Sequence, residues 1–81
     1  MNIVIVGTGY VGLVTGVGFA EQGHKVSFID LDSSKIEKLK NKQLPFFEPD
    51  LDTYFSKEEN FKRMSFNSSY NSLNWDDSEI V

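Results

Sequence analysis

Residues 7–12 form a glycine-rich segment, GTGYVG, between a short apolar run and a stretch with helical periodicity. Gly7, Gly9 and Gly12 have the spacing GxGxxG. Gly7 allows a tight turn, Gly9 removes a Cβ that would block approach to the backbone, and Gly12 lets a helix pack on a strand. The N–H groups at the start of such a helix bind a diphosphate without Lys or Arg. The pattern predicts diphosphate binding, and a tight strand-to-helix turn without a ligand is the structural alternative.

A carboxylate follows at the distance expected for a contact with the sugar of a dinucleotide. Asp30 lies 23 residues after Gly7, at the end of a second apolar run that covers residues 25–30. There it is placed to accept hydrogen bonds from the adenosine ribose hydroxyls. Capping of the next helix is the alternative role for Asp30, but Asp32 and Ser33 are better placed for that. Asp30 is therefore a candidate ribose ligand.

The charges near Asp30 indicate which dinucleotide is bound. A 2′-phosphate would face the carboxylates of Asp30 and Asp32, and no Arg is near them in the sequence. Lys35 is the one cation placed to reach the ribose, and a solvated lysine on a helix face is its alternative role. The sequence therefore favours NAD over NADP.

Strands and helices alternate along the chain. The β-branched run at residues 2–6 is too short for a helix and is typical of a central parallel strand buried on both faces. Gly23 is expected to end the first helix. The predicted elements are a strand at Asn2–Val6, a helix at Tyr10–Gln22, a strand at Lys25–Asp30, a helix at Ser33–Asn41, a loop at Lys42–Asp50, a short helix from Pro49 to about Lys57, a strand at Arg63–Asn67, a weak helix at Ser69–Trp75 and the start of a fourth strand at Ser78–Val81.

These elements predict an α/β fold, a Rossmann-type parallel sheet with flanking helices. The fourth strand is expected to pair beside the first and to be truncated at its start, because the chain stops on an apolar pair after an acidic turn. Residues 1–81 are thus expected to be the N-terminal portion of one NAD-binding domain.

The composition fits a globular domain and argues against several other classes of protein. Hydrophobic residues make up 40% and charged residues 25%, near the globular average. The net charge is −4 and no basic run is present, so we expect no nucleic-acid partner. The apolar stretch at residues 3–6 is too short for a signal peptide or a spanning helix, so we expect no membrane association and a cytoplasmic location. The chain has no cysteine, and no metal site is predicted.

The segment GTGYVGLVTGVGFAEQGHKVSFIDLD, followed by KIEKL and PFFEPDL, resembles the UDP-glucose/GDP-mannose dehydrogenase family and is most similar to its UDP-glucose 6-dehydrogenase branch. The resemblance implies oxidation of the C6 hydroxyl of a nucleotide sugar to a carboxylate, in two hydride transfers to NAD through a thiol-linked intermediate. The matching positions of the family's pyrophosphate loop are Gly7, Gly9, Tyr10, Val11 and Gly12. Those of its adenosine-ribose contacts are Asp30 and Lys35.

The resemblance also implies what this chain lacks. The family's catalytic cysteine, lysine and acidic residues lie downstream, so no catalytic residue is expected here and the 81-residue chain is expected to be inactive. A nucleotide sugar and a homo-oligomer are expected only for the full-length form. Two positions depart from the family pattern. Asp50 replaces a usual glycine after Glu-Pro, and Lys42 stands near another, so turns that glycine makes easy must be built otherwise.

Two other classes of protein share the glycine fingerprint. One is a non-catalytic nucleotide-sensing module, such as those that gate potassium channels, which lacks the insertion at residues 46–51. The other is a related dehydrogenase for hydroxyacyl or sugar-acid substrates, which lacks Tyr10-Val11 followed by the Glu48-Pro49 loop. These two features favour the nucleotide-sugar dehydrogenase.

Overall fold

Four parallel strands form the sheet that carries the glycine segment. The computed structural model describes residues 2–69 and 78–80, the last three by their backbone. β1 (Asn2–Val6) pairs with β2 (Lys25–Ile29) on one side and with β4 (Ser78–Ile80) on the other, and β2 pairs with β3 (Met64–Asn67). The strand order β3-β2-β1-β4 is that of the first half of a Rossmann sheet together with the first strand of the second half. The predicted fold class is confirmed, as is the pairing of the last strand beside the first.

β1 is the most apolar strand on both faces of the sheet. Ile3, Val4 and Ile5 are consecutive, so their side chains point alternately to the two faces, and all three are buried. A parallel strand buried on both faces reads as a continuous apolar run rather than an alternating one. This is why the run at residues 2–6 predicts the strand with the bounds that the structure shows.

Four helices occur in the described residues: α1 (Tyr10–Glu21), α2 (Ser33–Lys40), α3 (Pro49–Phe55) and α4 (Glu58–Lys62). The first three confirm the predicted helices within two residues at each end. α4 is a correction, because the sequence indicates only a polar stretch at residues 57–60. Glutamates in its first turn and a lysine in its last complement the helix dipole. Residues 70–75 of the predicted weak helix lie outside the described residues.

The ring of Phe66 in β3 is the centre of an aromatic cluster. Its centroid lies 5.3 Å from that of Phe28 in β2, 6.0 Å from Phe55 in α3 and 5.7 Å from Phe61 in α4. Aromatic pairs at such separations add to the free energy gained by burying their area. The cluster therefore fixes α3 and α4 against β2 and β3, and α1 packs on both of these helices.

α1 and α2 end in the same kind of turn, built from different residues. After α1, Gly23 has φ +98°, and the amides of Gly23 and His24 donate to carbonyls in the last turn of the helix. After α2, Lys42 has φ 61°, and Lys42 and Gln43 make the equivalent hydrogen bonds at 3.1 and 2.9 Å. Glycine is the usual residue at this position. The turn expected to be built without glycine is thus made by a lysine in the left-handed conformation.

Replacing Lys42 by glycine is expected to leave the chain about 1 kcal/mol more stable than replacing it by alanine. A left-handed conformation crowds the Cβ of any L residue, and glycine has no Cβ. Both variants lose the Lys42 ammonium, which lies 5.0 Å from the centroid of the Phe61 ring, so their difference isolates the backbone effect. Urea unfolding followed by circular dichroism measures it. Equal stabilities would show that residue 42 does not need this conformation.

Candidate dinucleotide-binding site

The glycine segment joins β1 to α1 in a turn that depends on Gly7. Gly7 has φ +97°, and its N–H donates to the carbonyl oxygen of Ile29 at 2.7 Å, which ties the turn to the end of β2. Gly9 caps α1 with φ −75° and ψ −176°. A residue with a Cβ is strained at the first of these positions but not at the second. The turn predicted at Gly7 is present.

The first turn of α1 presents backbone N–H groups that have no acceptor inside the helix. The first helical hydrogen bond runs from the Leu13 amide to the Gly9 carbonyl at 3.0 Å, so the amides of Tyr10, Val11 and Gly12 precede it. Gly9 has no side chain to cap them, and the turn carries no acidic residue. The positive end of the helix dipole is therefore available to an anion.

An open cleft of about 490 Å³ lies against this turn. The residues that line it are Ile5, Val6, Gly7, Gly9, Tyr10, Val11, Gly12 and Thr15. A Cβ built on Gly9 would meet no atom within 4 Å, whereas a Cβ on Gly12 would lie 2.5 Å from the Gly7 carbonyl oxygen and 3.3 Å from Ile5 Cγ2. Gly9 thus leaves room for a ligand, and Gly12 lets α1 close on the end of β1.

Asp30 follows β2 directly and turns its carboxylate towards the glycine segment. Its Oδ2 accepts hydrogen bonds from the Thr8 amide at 3.0 Å and the Thr8 hydroxyl at 2.7 Å, and its Oδ1 accepts one from the Asp32 amide at 3.0 Å. The pKa of Asp30 lies below its ordinary value. The hydrogen bond from the Thr8 hydroxyl is the largest cause and that from the Asp32 amide is the second. The Thr8 amide and the charge of Lys35 also lower the pKa, and the four effects together outweigh desolvation, which raises it. Asp30 is therefore ionised at neutral pH beside the open helix N-terminus.

Asp32 and Lys35 lie at the start of α2. The Asp32 carboxylate accepts hydrogen bonds from the amides of Ser34 and Lys35 at 3.1 and 3.3 Å, so Asp32 caps the helix, as predicted, and Asp30 does not. The glycine-segment residues predicted for the site line the cleft. Asp30 and Lys35 lie beside it at the corner between β2 and α2.

Two other side chains at the site, those of Thr8 and Thr15, are not indicated by the sequence. Thr8 is fully buried and bridges the glycine segment to Asp30. Thr15 lines the cleft one helical turn after Val11. The ring of Tyr10 lies 5.3 Å from that of Phe46, which brings the loop before α3 next to the glycine segment. A helical period from Gly12 is the one signal that could have pointed to Thr15.

Within the described residues the site offers binding groups and few reactive ones. No group of three or more His, Cys, Asp or Glu side chains there could hold a metal ion. None of the helices in that part of the chain has the length and apolar character needed to cross a membrane. The chemistry on offer at the cleft is backbone amides, small residues and one ionised carboxylate, which together fit a diphosphate and a neighbouring sugar.

The full length of the chain matches one family model, described as the UDP-glucose/GDP-mannose dehydrogenase family, NAD binding domain, over residues 1–81. The chain belongs to the UDP-glucose/GDP-mannose dehydrogenase family. NAD is the cofactor of this family's domain, so the resemblance noted in the residues is confirmed. The match favours the dehydrogenase over the nucleotide-sensing module.

Relatives within the family include several dehydrogenases of nucleotide sugars. UDP-glucose 6-dehydrogenase YwqF of Bacillus subtilis is 47% identical over 70 residues, which are 86% of this chain and 16% of that protein. The structure of a UDP-glucose dehydrogenase from Pyrobaculum islandicum matches with 35% identity and a TM-score of 0.76, over 84% of this chain and 16% of that one. A GDP-mannose dehydrogenase from Pseudomonas aeruginosa matches with 30% identity and a TM-score of 0.84, over 100% and 19%. The chain thus spans less than a fifth of the length of each of these relatives.

Proposed function

We propose that this chain is the N-terminal portion of the NAD-binding domain of an NAD-dependent nucleotide-sugar 6-dehydrogenase, which converts UDP-glucose and two NAD into UDP-glucuronate and two NADH. The observation that best supports it is the open first turn of α1 beside the ionised Asp30, in a chain of this family. UDP-glucose 6-dehydrogenases at 47% and 46% identity favour UDP-glucose among nucleotide sugars. The groups for catalysis and for sugar binding then belong to other parts of a longer protein.

In this proposal the NAD diphosphate lies against the first turn of α1. The amides of Gly9, Tyr10, Val11 and Gly12 donate hydrogen bonds to its oxygens, and Gly7 makes the turn that orients these amides. The free space at the Gly9 Cα lets the diphosphate reach the backbone. The charge of the diphosphate is balanced by the helix dipole, so no basic side chain is required.

Asp30 has one acceptor position to offer to the adenosine ribose. A carboxylate has about four such positions, and the hydrogen bonds from Thr8 and Asp32 occupy three of them. The free position is on Oδ1. Lys35 contributes a positive charge on the same side, and its ammonium donates a hydrogen bond to a ribose oxygen. A 2′-phosphate would instead meet the carboxylates of Asp30 and Asp32, so NAD is preferred to NADP.

The longer protein carries the remaining partners. The chain has no cysteine, so the thiol nucleophile and the nucleotide sugar belong to other segments. A cytoplasmic location and a homo-oligomer are part of the proposal for the longer protein and rest on the family resemblance. The net charge of −4 disfavours nucleic acid as a partner. Formation of NADH from NAD and UDP-glucose by the longer protein tests the proposal, with GDP-mannose as the control substrate. NADH formation with GDP-mannose alone would reassign the sugar.

Replacing Asp30 by alanine is expected to weaken NAD binding by about 1.5–3 kcal/mol, roughly a 10- to 150-fold rise in Kd. The loss corresponds to one hydrogen bond to a charged acceptor, the single free position on Oδ1. Titration calorimetry of NAD into the chain measures it. Circular dichroism must accompany the titration, because the buried Thr8 donors also lose their acceptor in this variant.

The matched control is Asp32→Ala, which removes the same charge two residues away. It costs about 1 kcal/mol of folding free energy through the lost α2 cap, and NAD affinity is expected to persist. An equal loss of affinity in both variants would show that net charge, rather than a ribose contact, is responsible. Unchanged affinity in Asp30→Ala would refute the ribose assignment.

A further inference from the structure

Thr8 is completely buried between two glycines, and both of its hydrogen-bond donors point at one carboxylate oxygen. Its side chain is 0% exposed. The hydroxyl donates to Asp30 Oδ2 at 2.7 Å and the amide donates to the same atom at 3.0 Å. GxGxxG places no requirement on the residue type at this position. A threonine here is therefore a feature that the diphosphate loop itself does not explain.

The two hydrogen bonds restrict the orientation of the Asp30 carboxylate. Both lone pairs of Oδ2 are used by Thr8, and Oδ1 is held by the Asp32 amide. Rotating the carboxylate would leave a buried hydroxyl and a buried amide without an acceptor, which is costly away from water. The direction of the remaining free lone pair on Oδ1 is thus set by Thr8 as well as by the backbone of Asp30.

We propose that Thr8 is a positioning residue that enforces the preference for NAD over NADP by holding the Asp30 carboxylate against the ribose site. The proposal rests on the proposed function, in which Asp30 accepts a hydrogen bond from the adenosine ribose. To admit a 2′-phosphate, Asp30 must either turn away or take up a proton. Turning away breaks both hydrogen bonds from Thr8.

Protonation of Asp30 is opposed by the same contact. The Thr8 hydroxyl is the largest of the influences that hold the pKa of Asp30 below its ordinary value, since a donor to a carboxylate favours its ionised form. Asp32 and Lys35 are the other charged residues at this corner; Asp32 acts on Asp30 through its backbone amide and Lys35 through its charge. Removing the hydroxyl alone should therefore let the Asp30 carboxylate rotate or take up a proton more easily, while Asp32 and Lys35 keep their positions.

Thr8→Val tests the proposal, because valine has nearly the same shape as threonine and lacks the hydroxyl. The Kd values of NAD and NADP are measured by titration calorimetry on the 81-residue chain. We expect the ratio of the two Kd values to narrow about tenfold, with weaker binding of NAD and stronger binding of NADP. Thr8→Ser keeps the hydroxyl and is expected to retain the preference of the wild-type chain.

A merely structural role for Thr8 would change both Kd values by the same factor, and that result would overturn the proposal. Thr8→Ala is expected to narrow the ratio as well, and it replaces the valine variant if circular dichroism shows the latter to be unfolded. In an Asp30→Ala background, Thr8→Val should leave the ratio unchanged, since the group it positions is gone. Failure of the wild-type chain to bind NAD overturns the proposed function too, whereas NAD binding with an unchanged ratio in Thr8→Val overturns this proposal alone.

Discussion

Replacing Gly12 by alanine is expected to cost about 3 kcal/mol of folding free energy, the upper end of what overpacking usually costs. The added Cβ would lie 2.5 Å from the carbonyl oxygen of Gly7, which is backbone and cannot rotate away. Gly7 is itself fixed by its positive φ and by its hydrogen bond to Ile29. Domains of this size rarely have more than about 3–5 kcal/mol of stability, so the variant should keep at most about 2 kcal/mol. Urea unfolding measures the change.

Gly18→Ala is the matched control in the same helix. A Cβ on Gly18 meets no atom within 4 Å, so alanine there should stabilise α1 by about 0.5–1 kcal/mol. The two variants add the same atom to the same helix and differ only in what that atom meets. A Gly12→Ala chain as stable as the Gly18→Ala chain would show that α1 does not approach the end of β1 as closely as the structure indicates.

Gly16 is a closely packed glycine that the spacing GxGxxG does not indicate. A Cβ on Gly16 would lie 2.2 Å from Cζ of Phe28, a closer approach than at Gly12, and Phe28 is fully buried and stacked on Phe66. The spacing GxGxxG indicates Gly12 because that glycine contacts a turn only a few residues away. The partner of Gly16 lies on another strand, so no local pattern links the two residues.

The short helix α4 escapes prediction for a similar reason. It has five residues, too few for a periodic apolar pattern, and its position is set by contacts distant in sequence. The side-chain amide of Asn60, which is 2% exposed, donates to the Glu21 carboxylate and to the Tyr54 carbonyl. The contact with Asn60 is also the main cause that lowers the pKa of Glu21. A buried polar residue reads as a loop in the sequence until its partners are known.

In the binding site, too, the features set by local sequence could be predicted and those set by contacts distant in sequence could not. The turn at Gly7 and the direction of Asp30 could be predicted, because each follows from strand ends that meet at one edge of a parallel sheet. The hydrogen bonds from Thr8 to Asp30 could not, since they depend on the atomic separation of two loops. Local steric rules thus place the diphosphate loop, and long-range packing decides how firmly its acidic partner is held.

Gly9→Ala is expected to separate binding from folding. Residue 9 has φ −75° and ψ −176°, which alanine adopts freely, and the added Cβ meets no atom within 4 Å. The stability should therefore fall by less than about 1 kcal/mol, the difference between glycine and alanine as a helix N-cap. The methyl group instead occupies the space in which the diphosphate approaches the α1 amides. One misplaced methyl group of this kind weakens binding by roughly 10- to 200-fold, which titration calorimetry with NAD would detect.

Gly12→Ala and Gly18→Ala are the controls for Gly9→Ala, because each of the three variants adds one Cβ within the same ten residues of the chain. Gly12→Ala should lose most of its folding stability, Gly18→Ala should keep both stability and NAD affinity, and Gly9→Ala should keep its stability and lose affinity. Unchanged affinity in Gly9→Ala would place the diphosphate away from the first turn of α1. A melting temperature that falls as far as that of Gly12→Ala would show instead that Gly9 serves the turn and not the ligand. The space beside Gly9 is expected to matter for binding alone, because a diphosphate fills it and no atom of the chain lies within 4 Å of an added Cβ.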